Sequence, residues 1–169
     1  MNFVCKNLTI ARISEIAKSI SEIVMGGDIF VLVGEIGTGK TTFVSHIVKE
    51  MNSTIDATSP TFAIVAEYPL IKPIRNIQKI VHVDTYRLVS VNELYDLGLE
   101  TIFDENAVTF IEWGEKIEDH IDKNHFSIFF EETSPEVRDL CFKIKGEIDN
   151  SRLEAIKQTL LQSGWYSDD

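Results

Sequence analysis

The most constraining feature of the chain is Gly34-Glu35-Ile36-Gly37-Thr38-Gly39-Lys40-Thr41, a match to G-x-x-x-x-G-K-[ST] set between two segments of different periodicity. Before it, Ile29-Phe30-Val31-Leu32-Val33 is a continuous apolar, β-branched run, the pattern of a strand buried on both faces. After it, Phe43, Val44, Ile47, Val48 and Met51 recur at helical spacing. A strand covered above and below, feeding a glycine loop and then an amphipathic helix, commits the chain to an α/β architecture. Glycines let the backbone turn its N–H groups around an anion, and the helix beginning near Gly39 adds the positive end of its dipole. The loop from Gly34 to Thr42 therefore reads as a phosphate cradle. In it Lys40 reaches the β and γ phosphates of a nucleoside triphosphate, Thr41 ligates the magnesium that bridges them, and Thr42 hydrogen-bonds the α phosphate.

The rest of the chain supplies a sheet and its cover. Ile10, Ile13, Ile16, Ala17, Ile20, Ile23 and Val24 predict a helix over 10–25, with Thr9 as N-cap and Gly26-Gly27 as its stop. Phe62, Ile64, Ala66 and Tyr68 fall on one face of a predicted strand, and Ile80 to Val83 make another. The proline-containing stretch Pro69 to Gln78 between them reads as an exposed connection. A helix over Glu93 to Phe103, a strand over Val108 to Glu112 and a short helix over Glu115 to Ile121 follow. Alternation at Phe126, Ile128, Phe130 and again at Leu140, Phe142, Ile144, around Thr133-Ser134-Pro135-Glu136, predicts a β-hairpin. A last amphipathic helix covers Ser151 to Leu161. The expected fold is a P-loop NTPase-like three-layer sandwich with a mixed central sheet and a C-terminal antiparallel hairpin. One domain is expected over 1–162, with 163–169 a frayed tail.

A phosphate loop needs an acid at the end of a neighbouring strand to complete the magnesium shell or orient water. Two residues qualify: Glu112 after Val108-Thr109-Phe110-Ile111, and Asp84 after Ile80-Val81-His82-Val83. Ser59-Pro60-Thr61-Phe62 lies shortly after the loop's helix, where such proteins often carry a hydroxyl that senses the γ phosphate, although Ser-Pro-Thr is also a common turn composition. Arg87 is a candidate for neutralising phosphate charge, and His82 reads as a packed or orienting residue. Guanine specificity calls for N-K-x-D, which the sequence lacks, so ATP is favoured over GTP.

Composition excludes other classes. The net charge of -11 repels a phosphate backbone, so this surface is not expected to grip nucleic acid unaided. No stretch approaches the roughly 18 apolar residues that span a bilayer, and no secretory signal is visible, which together predict a cytoplasmic protein off the membrane. Cys5 and Cys141 belong to no C-x-x-C pattern and read as reduced, packed thiols.

Taken in order, GEIGTGKTT at 34–42, SPTF at 59–62, HVDTYRL at 82–88 and EW at 112–113 resemble one family, TsaE, also called YjeE, across nearly the whole chain. The H-x-D-x-Y-R-L segment is far more specific than the loop. The resemblance implies a bacterial ATPase of tRNA modification that takes part in making threonylcarbamoyladenosine beside the anticodon of tRNAs reading codons that begin with A. It implies ATP and Mg2+ as cofactors, and TsaB and TsaD, a heterodimer of actin-like-ATPase-fold proteins, as partners. TsaD transfers the threonylcarbamoyl group, and the partners hold the tRNA. The ATPase is expected to be weak alone and to support turnover of the TsaB–TsaD complex. By motif position Thr41 and Glu112 become the magnesium pair, Lys40 the phosphate contact, Asp84 the second acid near the attacking water and Thr61 the switch-like hydroxyl. Thr9, just before the first helix, is placed near the nucleotide base, and Trp113 beside the site. Family loops often read G-D-L-G-A-G-K-T, whereas this one carries Glu35, Ile36 and Thr38. The family's Gly-Arg near the closing hairpin is replaced by Glu136-Val137-Arg138.

Two other readings share the loop. A small-molecule kinase would use the same cradle but needs an arginine-rich lid, which the sequence does not offer. A nucleotide-gated adaptor would change partner affinity on ATP occupancy alone, without essential hydrolysis.

Overall fold

The structure, a computed structural model, describes residues 2–162 apart from 54, 56, 58, 59, 61, 97, 99–101, 148 and 149. In chain order its named elements are β1 (Asn2–Thr9), α1 (Ile10–Ile23), β2 (Ile29–Val33), α2 (Lys40–Glu50), β3 (Val65–Ile74), β4 (Ile77–Asp84), α3 (Val91–Asp96), β5 (Ala107–Glu112), β6 (His125–Ser134), β7 (Val137–Lys145) and α4 (Asn150–Gln162). The strands form one seven-stranded sheet in the order β1-β7-β6-β2-β5-β4-β3. Its centre is parallel, β2 pairing with β5 and β6, and β4 with β5. Both flanks are antiparallel, β3 on β4 at one edge and β7 on β6, then β1 on β7, at the other.

Strand alternation divides the core into two layers. On one face Phe30, Leu32, Phe110, Phe126 and Ile128 meet Ile16 and Ile20 of α1, Phe43 and Ile47 of α2 and Ile156 of α4. On the other, Ile29, Val31, Val81, Val83 and Ile111 meet Leu94 of α3 and Ile117. This is the expected α/β sandwich, and the hydrophobic run at 29–33 is buried on both sides because its odd and even residues feed different layers. Phe30 stacks between Phe110 and Phe126 at ring separations of 5.1 and 5.0 Å, tying β2 to both parallel neighbours.

Several sequence expectations change. Residues 2–9 were not expected as a strand but form β1, which closes the edge against β7. The stretch 69–78, read as a connection, is mostly strand: Pro69 and Pro73 lie in β3, the outermost strand, where a missing N–H costs no ladder bond if it faces outward. The β3–β4 turn falls at Arg75-Asn76, both in the left-handed region at φ 47 and 63, as a two-residue hairpin turn requires. Phe62 and Ile64 lie before β3 rather than in it, and Phe62 is 86% exposed. Of the helix expected over 93–103, α3 covers Val91–Asp96, Gly98 follows at φ 85 and Ile102 is again helical, while 97 and 99–101 lie outside the described residues. The short helix at 115–121 is two 3-10 turns, Gly114–Lys116 and Glu118–His120. Helix α1 ends at Ile23, before the glycines, with the Val24 N–H still bonded to the Ile20 carbonyl. The 163–169 tail lies outside the described residues.

Cys5 and Cys141 stand on adjacent strands, but Cys5 pairs with Leu140 and Cys141 with Val4, so they point to opposite faces and are unbridged. Burial, with a smaller contribution from Cys141, pushes the Cys5 thiol up to about 12. Among the described residues no helix is long and apolar enough to cross a membrane.

Candidate functional site

Parallel pairing brings the carboxyl ends of β2, β5 and β4 to one edge, with Leu32, Glu112 and Asp84 in register across the three strands. The glycine loop leaves β2 at this edge, where ligands collect in open parallel sheets. Gly34 has φ 149, and a Cβ there would lie 2.5 Å from the Phe130 carbonyl oxygen of β6, so only glycine lets the loop turn so close to the sheet. Gly37 and Gly39, at φ 84 and 105, differ: a Cβ at either would meet nothing within 4 Å. Their backbone faces open space, and Gly39 begins α2 with no side-chain cap on its first turn. The Thr38 hydroxyl donates to the Glu35 carbonyl at 2.9 Å, bracing the loop from within.

Lys40 folds back under this loop, its Nζ donating to the carbonyls of Gly34 (2.6 Å) and Glu35 (2.8 Å) and lying 4.1 Å from the centre of the Trp113 ring. Burial pulls its amine below the usual lysine range, against the opposing charges of Glu112, Glu115, Asp84 and Glu35. Thr41, one residue on, donates its hydroxyl to Glu112 Oε2 at 2.9 Å. The other carboxylate oxygen, Oε1, lies 2.8 Å from His82 Nε2, so Glu112 is held from two sides at 3% exposure. A hydroxyl that donates to a carboxylate keeps its lone pairs available, and hydroxyl and carboxylate oxygens are the donor set a hard divalent cation prefers.

Asp84 is buried at the end of β4, its Oδ1 accepting the Tyr86 N–H at 3.0 Å. Trp113 sits at φ 58, an unfavourable conformation for a bulky side chain, and three contacts hold the turn. The Thr85 hydroxyl shares its one hydrogen between the carbonyls of Glu112 (3.0 Å) and Trp113 (2.7 Å). Lys116 donates to the Tyr86 carbonyl at 2.5 Å. Gly114 packs where a Cβ would lie 2.4 Å from Val31 Cγ1. The Tyr86 and Trp113 rings lie 5.0 Å apart. Ile36, Gly37, Gly39, Lys40, Thr41 and Thr42 on one side, and Asp84, Tyr86, Glu112 and Trp113 on the other, enclose a cavity of about 340 Å³.

The sequence candidates thus separate. Lys40, Thr41, Thr42, Asp84 and Glu112 converge on the cavity, as do Ile36, Gly37 and Gly39. Gly34, Glu35 and Thr38 shape the loop from behind, and none is a lining residue. Thr9 is not one either: its hydroxyl caps α1, accepting the Arg12 N–H at 3.4 Å. Thr61 and Ser59 lie outside the described residues. Arg87 lies 4.3 Å over the Phe62 ring and does not line the cavity. Sequence reasoning missed Thr85 and Lys116, whose roles depend on the fold of the Trp113 turn. Arg138, whose segment departs from the family's Gly-Arg, is a buried side chain that reaches the loop, with Nη2 3.5 Å from the Gly37 carbonyl and 3.2 Å from Glu132.

Comparison with known proteins converges on one family. Residues 9–140 match the family described as "Threonylcarbamoyl adenosine biosynthesis protein TsaE". A protein of Bacillus subtilis (strain 168) named tRNA threonylcarbamoyladenosine biosynthesis protein TsaE is 30% identical over 131 residues, 78% of each chain. One of the same name from Mycobacterium bovis is 32% identical over 135 residues, 75% of this chain and 79% of its own. Among solved structures, the crystal structure of Bacillus subtilis YdiB superposes with a TM-score of 0.71 at 20% identity, covering 96% of this chain and 97% of the other, which supports the fold.

Proposed function

The chain belongs to the TsaE family, and we propose that it binds and hydrolyses ATP in the formation of threonylcarbamoyladenosine next to the anticodon of tRNAs that read A-starting codons. The observation that carries this reading is the Thr41–Glu112 pair at the mouth of the open glycine cradle, with Asp84 on the adjacent strand. The open faces of Gly37 and Gly39 suit phosphate oxygens, and the pair of hard oxygens suits magnesium.

Each residue has a definite task in this account. The loop N–H groups and Lys40 hold the β and γ phosphates, Lys40 exchanging its loop carbonyls and the Trp113 face for phosphate oxygens. Thr41 and Glu112 would hold magnesium, which supplies charge neutralisation on the bridging phosphates. Thr42, at the exposed start of α2, contacts the α phosphate. Asp84 faces the attacking water and orients it, while Tyr86 and Trp113 wall the site against bulk solvent. Thr61 serves as the γ-phosphate sensor.

Turnover is slow alone and rises within a complex with TsaB and TsaD, which hold the tRNA; TsaD, not this chain, performs the transfer. The net charge of -11 fits a subunit that leaves RNA to its partners. A pull-down with the tagged chain, with and without ATP, tests the assignment: recovery of TsaB and TsaD only with nucleotide is expected, and their absence under both conditions counts against it. Glu112→Gln separates hydrolysis from occupancy, since normal tRNA modification by that variant would make the protein an ATP-gated adaptor.

A further inference from the structure

We propose that His82 is a positioning residue that sets the orientation of the Glu112 carboxylate, and through it the affinity of the site for magnesium. The inference rests on the ATP-binding reading above. His82 and Glu112 belong to adjacent parallel strands, and the His82 ring is fully buried, 2.8 Å from Glu112 Oε1. A carboxylate offers only acceptors, so the hydrogen in this bond sits on His82 Nε2. The other ring nitrogen, Nδ1, is buried without a hydrogen-bond partner among the described residues.

A side chain kept only for packing gains nothing from a polar ring with one nitrogen unmatched, because a buried unsatisfied group is a cost and an apolar residue of similar size avoids it. What the ring supplies is one directed N–H to Glu112 Oε1, which no backbone donor among the described residues reaches. With Oε1 fixed by His82, Oε2 is presented to Thr41 at 2.9 Å. Without it, a glutamate with three free torsions is buried with one oxygen bare and turns toward Lys40, whose amine lies in its field. Tyr68 flanks the imidazole at a ring separation of 6.3 Å and, with the sheet, keeps it from swinging away.

The test compares His82→Gln, His82→Asn and His82→Leu with the unmodified chain. A glutamine amide reaches the place of Nε2, whereas an asparagine amide reaches only that of Nδ1. Binding of a fluorescent ATP analogue is titrated against magnesium, and thermal unfolding without nucleotide verifies folding. Magnesium at half-saturation should stay within about twofold for His82→Gln and rise roughly tenfold or more for His82→Asn and His82→Leu, the usual effect of losing a partner that orients a metal ligand. If His82→Leu fails to fold, the Gln and Asn pair decides. Equal magnesium dependence in all folded variants, or His82→Gln as impaired as His82→Asn, overturns the role. An unmodified chain without magnesium-dependent nucleotide binding removes the ATP reading itself and this inference with it.

Discussion

Replacing Thr41 by valine keeps the shape of the side chain and removes only its hydroxyl, so it isolates the bond to Glu112. Threonine and valine differ little in helix propensity, so the first turn of α2 should be unaffected. The lost interaction is a 2.9 Å bond to a carboxylate that is 3% exposed, and bonds to charged groups contribute roughly 1.5–3 kcal/mol. Glu112 retains His82 at 2.8 Å, so it is not left bare, and the low end, about 1.5 kcal/mol, applies. For a chain of this size that lowers the unfolding midpoint by about 3–6 °C in the absence of nucleotide. If Thr41 ligates magnesium as proposed, magnesium-dependent binding of a fluorescent ATP analogue should weaken by roughly tenfold or more. Thr41→Ser, which restores the hydroxyl, should recover most of both. The reasoning fails if Thr41→Val unfolds with the unmodified chain and binds nucleotide with the same magnesium dependence.

Three further outcomes follow from the packing. Gly37→Ala should fold at a cost of roughly 1–2 kcal/mol for the left-handed backbone yet lose nucleotide affinity, whereas Gly34→Ala, whose Cβ would meet the Phe130 carbonyl, should lose stability and affinity together, as calorimetry and titration would read. Phe110→Ala removes a ring stacked 5.1 Å from Phe30, two residues before Glu112, and should destabilise by about 3–5 kcal/mol, lowering the midpoint by on the order of 10 °C. Cys5 has its thiol raised from 9.0 to about 12, so its neutral form is favoured by folding. The stability it contributes is full below pH 9 and is lost as pH rises toward 12, so Cys5→Ala should flatten the alkaline fall in unfolding midpoint, and native Cys5 should resist alkylation at neutral pH.

How far the sequence foretold this structure follows from where its information is local. The strand at 29–33, the glycine loop and α2 were legible because burial on both faces, backbone freedom and amphipathic spacing are all written in consecutive residues. Glu112 and Asp84 were legible for the same reason, each closing an apolar run. Pro69 and Pro73 misled because their cost depends on position in the sheet, and β3 is an edge only by virtue of a topology set elsewhere. Strand β1 was hidden because its partner, β7, lies more than a hundred residues away. Arg138 meets the loop for the same reason: β7 carries it to Gly37 through pairings that no local pattern records. The Glu112–His82 bond likewise joins side chains thirty residues apart in the chain, across two parallel strands.

The central claim, that this cradle hydrolyses ATP in service of its partners, is met most directly by measuring phosphate release from ATP with magnesium, before and after adding TsaB and TsaD. Slow release by the chain alone, a clear rise with both partners, and loss of that rise in Glu112→Gln are expected. Release that neither partner changes and that Glu112→Gln leaves intact would contradict the account.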